Sequence, residues 1–251
     1  MKIDFHVHGT ITCKYLYHFD EEEFVKKINE AKKEKMDAFA LTEHCHSECF
    51  PEAYNFLNKN YEYKNDYYEV DGIKVFVGIE ITTIEELDIL VIGKKEYIEE
   101  LRYEVEKAKE DQKYIGIERL FKICDTENNL IILAHPYRRH DEFPEISEFV
   151  LRKIDAIEYN AKDLYKKGIE KNKHIVSKLA QNISKPITGG SDSHHHLQIG
   201  SIMNNLKKDI NKVIEIKKEI RKDNYIVEIS ENLINMVEEA RLNKKTICGK
   251  E

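Results

Sequence analysis

Lys2-Ile3-Asp4-Phe5-His6-Val7-His8 opens the chain with a short apolar, β-prone run ending in two histidines at i and i+2. On a strand, that spacing projects both imidazoles from one face. Other apolar runs carry ligand-type residues at their ends in the same way. Asp37–Thr42 leads into Glu43 and His44, and the run Ile73–Ile81 carries Glu80. Leu130–Ala134 leads into His135, and Lys185–Thr188 leads through Gly189-Gly190 into Asp192-Ser193-His194. Each group alone has a plain structural explanation: histidines at a wet strand end, Glu80 paired with a Lys or Arg, His135 capping a strand. Their repetition at strand ends favours a metal site, and one holding more than a single ion.

Working outward from these runs, strand-like and helix-like patterns alternate. Helices are expected over Glu21–Lys35, with Phe24, Val25, Ile28 and Ala31 as an apolar stripe, and over Pro51–Tyr63, Lys95–Lys109 and Ile117–Thr126. Further helices are expected over Pro144–Leu151, Asp163–Asn182, Asp209–Arg221 and Glu231–Asn243. Strands are expected at Leu87–Ile92, Ile154–Tyr159 and Asn224–Ile229 as well. Strand, loop, helix, strand in succession predicts a parallel sheet. With no cofactor-type glycine fingerprint, a closed barrel is favoured over a doubly wound sheet, with the chemistry on the C-terminal strand ends.

The length of 251 residues, at 41% hydrophobic content, suits one α/β domain spanning 1–251. A net charge of −7 argues against a broad nucleic-acid footprint. The five cysteines (Cys13, Cys45, Cys49, Cys124 and Cys248) are odd in number and form no CxxC pair. That fits a reducing compartment better than a disulfide framework, and no second pair completes a zinc knot with Cys45 and Cys49. No apolar run approaches the roughly 20 residues that span a bilayer. No basic-then-apolar leader pattern opens the chain, so a soluble cytoplasmic protein is expected.

Six motifs in order resemble those of the PHP (polymerase and histidinol phosphatase) superfamily. They are D-F-H-V-H at 4–8, L-T-E-H at 41–44, G-I-E-I at 78–81, A-H-P-Y-R at 134–138, I-E-Y-N at 157–160 and G-S-D-S-H at 190–194. The resemblance implies an α/β fold of a particular kind, a distorted (β/α)7 TIM-like barrel with two or three divalent cations (Mn, Fe, Zn or Mg) on the strand ends. It also implies phosphoester hydrolysis by a metal-activated hydroxide. Carried over by position, it implies His6, His8, Glu80 and Asp192 as ligands of one ion, with Glu80 bridging to a second held by His135. His44 and His194 would hold a third. Asp88 occupies a place where the family often has histidine, a change towards harder cations. Cys13 and Lys14 stand where the family often has Asp or His, so Lys14 is expected to face the substrate phosphate instead.

Arg138, two residues beyond Pro136, is expected to clamp the phosphate with its guanidinium fork, and Arg139 to form a surface salt bridge. His194 or a metal-bound water is expected to protonate the leaving group. Glu43, next to His44, is expected to support the metal ligands without binding metal itself. The expected substrate is a small phosphorylated metabolite or nucleotide, with nucleic acid disfavoured and no membrane partner. Two other readings are an amidohydrolase-like metal hydrolase, which would want a bridging lysine, and a non-catalytic regulatory domain that binds metal. Five tyrosines within Cys45–Tyr68 suggest a lid, but ordinary packing over the barrel mouth is favoured.

Overall fold

The computed structural model describes residues 1–9, 19–109 and 113–247. In chain order the elements are β1 (Lys2–Val7), α1 (Glu21–Lys33), β2 (Ala38–His44), α2 (Cys49–Asn60), β3 (Glu62–Lys64), β4 (Tyr67–Val70), β5 (Ile73–Thr82) and β6 (Asp88–Gly93). Next come α3 (Lys95–Lys107), α4 (Ile117–Ile123), β7 (Leu130–Ala134), α5 (Glu148–Lys153), β8 (Ala156–Asn160), α6 (Ala161–Lys167) and α7 (Ile169–Asn182). The last elements are β9 (Ile187–Gly190), β10 (Ile202–Leu206), α8 (Val213–Arg221), β11 (Tyr225–Ile229) and α9 (Leu233–Ile247). No helix among the described residues is long and apolar enough to cross a membrane.

The sheet runs β11-β10-β1-β2-β5-β6-β7-β8-β9, with the β3–β4 hairpin attached to β5. The two ends of the seven-strand run β1 to β9 meet where His8 N donates to Ser193 O at 2.9 Å and Asp192 N donates to His6 O at 2.8 Å. The result is a nearly closed, distorted TIM-like barrel.

The sheet is not parallel throughout. β6 pairs antiparallel with β5 and with β7, and β10 pairs antiparallel with β1 and β11. A parallel connection needs a crossover of a dozen or more residues, and β5 turns into β6 within a few. That turn is closed by Thr83 N donating to Leu87 O at 2.9 Å. The reversal has a chemical consequence: Asp88 starts its strand, yet lies at the end of the barrel where β5 and β7 finish. Its neighbours across the ladder are Thr82 and Ala134.

Alternate strand residues divide into two packed sets. Phe39, Leu41, Val75, Val77, Val91 and Ile131 pack with Phe24, Leu57 and Leu101 of the outer helices. Ala38, Ala40, Phe76, Leu90, Ile92 and Ile132 pack with Val213, Ile216 and Ile220, so α8 plugs the barrel interior. On β1, Ile3 and Phe5 belong to the inner set and Val7 to the outer. The phase changes because Asp4 pairs with Phe39 and Val7 with Leu41, an extra residue on β1. That bulge re-aims the strand, and it brings His6 and His8 inside above the apolar layer.

Several expected boundaries move. The helix expected over Asp163–Asn182 is broken at Gly168, whose φ of +86° no continuous helix accommodates. The helix expected from Pro144 begins at Glu148, where the Ser147 side chain accepts from Val150 N. The helix expected to reach Tyr63 ends at Asn60, and the β3–β4 hairpin follows. The tyrosines there pack: Tyr54 is buried, with its hydroxyl 2.8 Å from the carbonyls of Leu41 and Gly78.

Candidate metal centre

The strand ends bring His6, His8, His44, Glu80, Asp88, His135, Asp192 and His194 into one cluster, buried but for His44 and His194. His6 Nε2 lies 3.1 Å from His8 Nε2, 3.5 Å from Glu80 Oε2 and 3.6 Å from Asp192 Oδ1. His8 Nε2 lies 3.3 Å and 3.4 Å from the same two oxygens. Donors bound tetrahedrally to one ion at about 2.0–2.1 Å stand roughly 3.3–3.4 Å apart, so His6, His8 and Glu80 fit a single cation, and Asp192 joins His6 and His135 in a neighbouring group of converging ligand atoms. His135 Nε2 lies 3.1 Å from Glu80 Oε1, and Glu80, Asp88 and His135 form a second group of converging ligand atoms. His8, His44 and His194 form a third, with the His8 ring 4.1 Å from that of His194 and 4.5 Å from that of His44.

Direction matters as much as distance. Glu80 Oε2 and His44 Nδ1 are only 2.8 Å apart, yet both are buried with no hydrogen-bond partner, as is His8 Nδ1. Buried polar atoms are almost always paired. Atoms this close that do not bond one another have their lone pairs aimed at shared space, which is what a cation requires.

The surrounding side chains hold the ligands in place. Glu158 Oε1 accepts from His6 Nδ1 at 2.8 Å, which makes Nδ1 the N–H and leaves Nε2 as the lone pair. Glu158 Oε2 accepts from His135 N at 3.0 Å and from Asn160 Nδ2 at 3.1 Å. Glu43 accepts from Gly9 N and lies 3.6 Å from His8 Nδ1, beside the cluster and outside every group of converging ligand atoms. His135 at φ +27° and Asp192 at φ +53° hold strained backbone, a cost usually borne at functional sites. Gly190 must lack a side chain: a Cβ there would stand 1.9 Å from Glu158 Oε1 and 2.7 Å from His6 Cβ.

Electrostatics give the same picture. Burial pushes the imidazoles of His6 and His8 down, but the surrounding carboxylates prevail. Glu158, Asp192 and Glu80 hold His6 well above its usual value, and Asp192, Glu43 and Glu80 carry His8 to about 10. Burial opposes ionisation of Glu80 and Asp192 too, yet His44 and His6 hold the first, and Arg138 and His6 the second, well below the usual range. The centre demands positive charge, which protons or metal cations can supply. Burial and the neighbouring His8 hold His194 well below its usual value. His194 Nδ1 donates to Asp192 O at 3.0 Å, which leaves Nε2 as the lone pair, the form a ligand takes.

Two expectations about cations change. Arg138 is not a free fork: Nη1 donates to Asp192 Oδ2 at 2.6 Å, Nη2 to Asn160 Oδ1 at 2.7 Å and Nε to Asp163 Oδ1 at 3.1 Å. Arg139 donates to Asp88 Oδ2 at 2.7 Å, so its salt bridge reaches a buried carboxylate, not a surface one. Asp88 is then held on both oxygens, since Thr82 Oγ1 donates to Oδ1 at 2.6 Å. Lys14 lies outside the described residues.

His195 is buried and His196 half-buried. His196 N and Nδ1 both meet Glu23 Oε1, a clasp between α1 and the His196–Gln198 turn. Sequence reading gave no role to Glu158, Asn160 or Lys162. A carboxylate inside the buried run Ala156–Asn160 is the signal that could have flagged Glu158.

A family model described as PHP domain matches residues 4–232. No curated protein matches the sequence. Among solved structures, PsfC from Pseudomonas syringae is similar at a TM-score of 0.79 and 18% identity, covering 98% of both chains. The lesion-specific endonuclease PfuEndoQ from Pyrococcus furiosus is similar at 0.59 and 18% identity, over 90% of this chain and 57% of its own. An amidohydrolase from Chromobacterium violaceum, with bound sulfate and no metal, gives 0.52 at 11% identity, over 89% of this chain and 97% of its own. At these identities the likeness is one of fold.

Proposed function

The chain belongs to the PHP domain family, and from that premise we propose that it is a metal-dependent phosphoesterase acting on a small phosphorylated metabolite or nucleotide. The reading rests on one observation above the rest: the unpaired, converging Glu80 Oε2 and His44 Nδ1 beside the His6–His8–Asp192 group. His6, His8, Glu80 and Asp192 would hold one divalent cation, Glu80, Asp88 and His135 a second, and His44 with His194 a third. Bound there, the cations supply Lewis acidity and a nucleophilic water near neutral pH.

The chain's own groups do the rest. Glu158 fixes the His6 ring through Nδ1, Arg138 fixes Asp192, and the half-buried His44 and His194 leave the outer face of the cluster open to substrate. The central position carries Glu80, not the lysine that an amidohydrolase-like centre would want. The net charge of −7 favours a compact phosphate substrate over an extended nucleic-acid backbone.

Hydrolysis of p-nitrophenyl phosphate after loading with Mn²⁺, lost on chelation and regained on reloading, is the expected result. Absence of turnover with Mn²⁺, Fe²⁺, Zn²⁺ and Mg²⁺ alike would discard the reading. Independently, Glu80→Gln is expected to remove at least one metal per chain by elemental analysis; unchanged stoichiometry would refute a shared carboxylate.

A further inference from the structure

We propose that Lys162 is the side chain that binds the non-bridging oxygens of the substrate's phosphoryl group, the part that sequence reading assigned to Arg138 and Lys14. The inference deepens the phosphoesterase reading and rests on it.

Glu43, Glu80, Asp88 and Asp192 surround the cluster, so a phosphoryl dianion meets repulsion wherever it is not matched by positive charge. Among the described residues, most nearby cationic side chains are already committed. Arg138 uses all three nitrogens on Asp192, Asn160 and Asp163. Arg139 is spent on Asp88 and the Glu86 carbonyl. Lys27 lies beneath β1, its ammonium donating to His8 O at 2.6 Å.

Lys162 differs from each of these. It follows Asn160, the last residue of β8, in the first turn of α6, and so lies at the ligand-bearing end of the barrel. Its backbone N–H donates to Asn160 Oδ1 at 3.0 Å, the oxygen that also accepts from Arg138 Nη2, so its main chain is tied to the network that holds Asp192. The side chain is half-buried, and no carboxylate lies within ion-pair distance of its ammonium among the described residues. Its charge nonetheless acts on both Asp192 and His194.

Asp192 raises the affinity of Lys162 for its proton, but burial, Arg138 and Lys166 together leave it lowered. A half-buried ammonium with no carboxylate at ion-pair distance among the described residues gains from an arriving anion. Its flexible stem and three donors let it follow the phosphoryl oxygens.

The test uses metal-loaded protein titrated with inorganic phosphate in a calorimeter, with metal content measured on the same samples. Lys162→Gln, which retains much of the stem, is expected to weaken phosphate binding at least about tenfold, as loss of one charge-assisted hydrogen bond requires. Lys162→Arg is expected to recover most of it, with metal content equal in all three proteins. A Lys162→Gln affinity within about twofold of wild type overturns the proposal. So does a wild type that binds no phosphate, or a Lys162→Gln protein that has lost its metals, since the role would then be structural. Phosphate binding by a wild type that turns over no phosphate ester refutes the esterase reading alone, and Lys162 is then judged on the affinities.

Discussion

Arg138 marks the difference between a residue's type and its commitment. In sequence it is the first of two arginines after His-Pro-Tyr; in space it is the clasp on Asp192, with Asn160 and Asp163 on its other arms. Arg138→Ala is therefore expected to weaken metal binding by about ten- to a hundredfold, as removal of a ligand's supporting partner does, and to leave KM for a phosphate ester nearly unchanged. Competition against a chelator reads the first quantity and steady-state kinetics the second; a raised KM with intact metal affinity would restore the clamp role. The eight candidate positions could be named in sequence because most of them end or follow an apolar run and Asp88 falls in a motif position of the family; each alone has a plain structural explanation, and only their convergence in space singles them out. Arg138 and Lys162 were not separable, since nothing in a linear string says which cation is already bonded. Cys124 gives a residue-scale test of burial. Burial pushes its thiol up to about 11 against an ordinary 9.0, opposed by the Tyr97 hydroxyl. A raised folded-state value contributes stability that is fully present below pH 9 and is lost as pH rises through 11. Wild type is thus expected to lose about 1.4 kcal/mol more than Cys124→Ala between roughly pH 8 and pH 10. Parallel urea curves at both pH values measure it, and equal losses would mean the thiol titrates normally.

At the scale of elements, closing the barrel depends on β10 as well as on the seven-strand ring. The Asn204 side chain does what a missing stretch of ladder would do: Oδ1 accepts from Gly189 N at 2.8 Å, and Nδ2 donates to Gly189 O at 2.8 Å and Ile3 O at 3.0 Å. It thereby stitches β9 to β1 beneath the ligands. Asn204→Ala strands three buried backbone groups and is expected to cost about 2–4 kcal/mol, measured as a lowered urea midpoint at unchanged slope. A cost below about 0.5 kcal/mol would mean that water replaces the amide. β10 escaped sequence reading for this reason: Ile202-Met203-Asn204-Asn205-Leu206 reads as too polar for a strand, and one of those polar residues is the stitch. The antiparallel β6 was hidden differently, because an apolar run shows where a strand lies but not which way it runs. The α-helices were more legible, as in α1, where Phe24, Ile28 and Ala31 of the expected stripe are buried and only Val25 is exposed. Gly168 was the exception, since a glycine within a helical pattern does not announce its sign of φ.

For the whole molecule, chemistry and stability occupy opposite ends of the barrel, a division that barrels of this kind favour. At the end opposite the ligands, α8 closes the interior and carries a buried charge. Lys217 Nζ donates to Asp155 Oδ2 at 2.8 Å and to the carbonyls of Thr126 and Asn129 at 2.6 Å and 2.7 Å. Asp155 also accepts from Arg221 Nε at 2.7 Å and Ile131 N at 2.8 Å. Those partners immediately precede β7 and β8, so the cluster fastens the plug to the strand starts. Removing one member of a buried pair leaves the other charge unanswered, at about 3–5 kcal/mol. Asp155→Asn is therefore expected to lower stability by roughly that amount while metal content and metal affinity stay at wild-type levels. Unfolding curves and elemental analysis on one preparation separate the two effects. Loss of metal from a protein that remains folded would show that the two ends are coupled through the strands, and that the plug helps to set the ligand geometry above it.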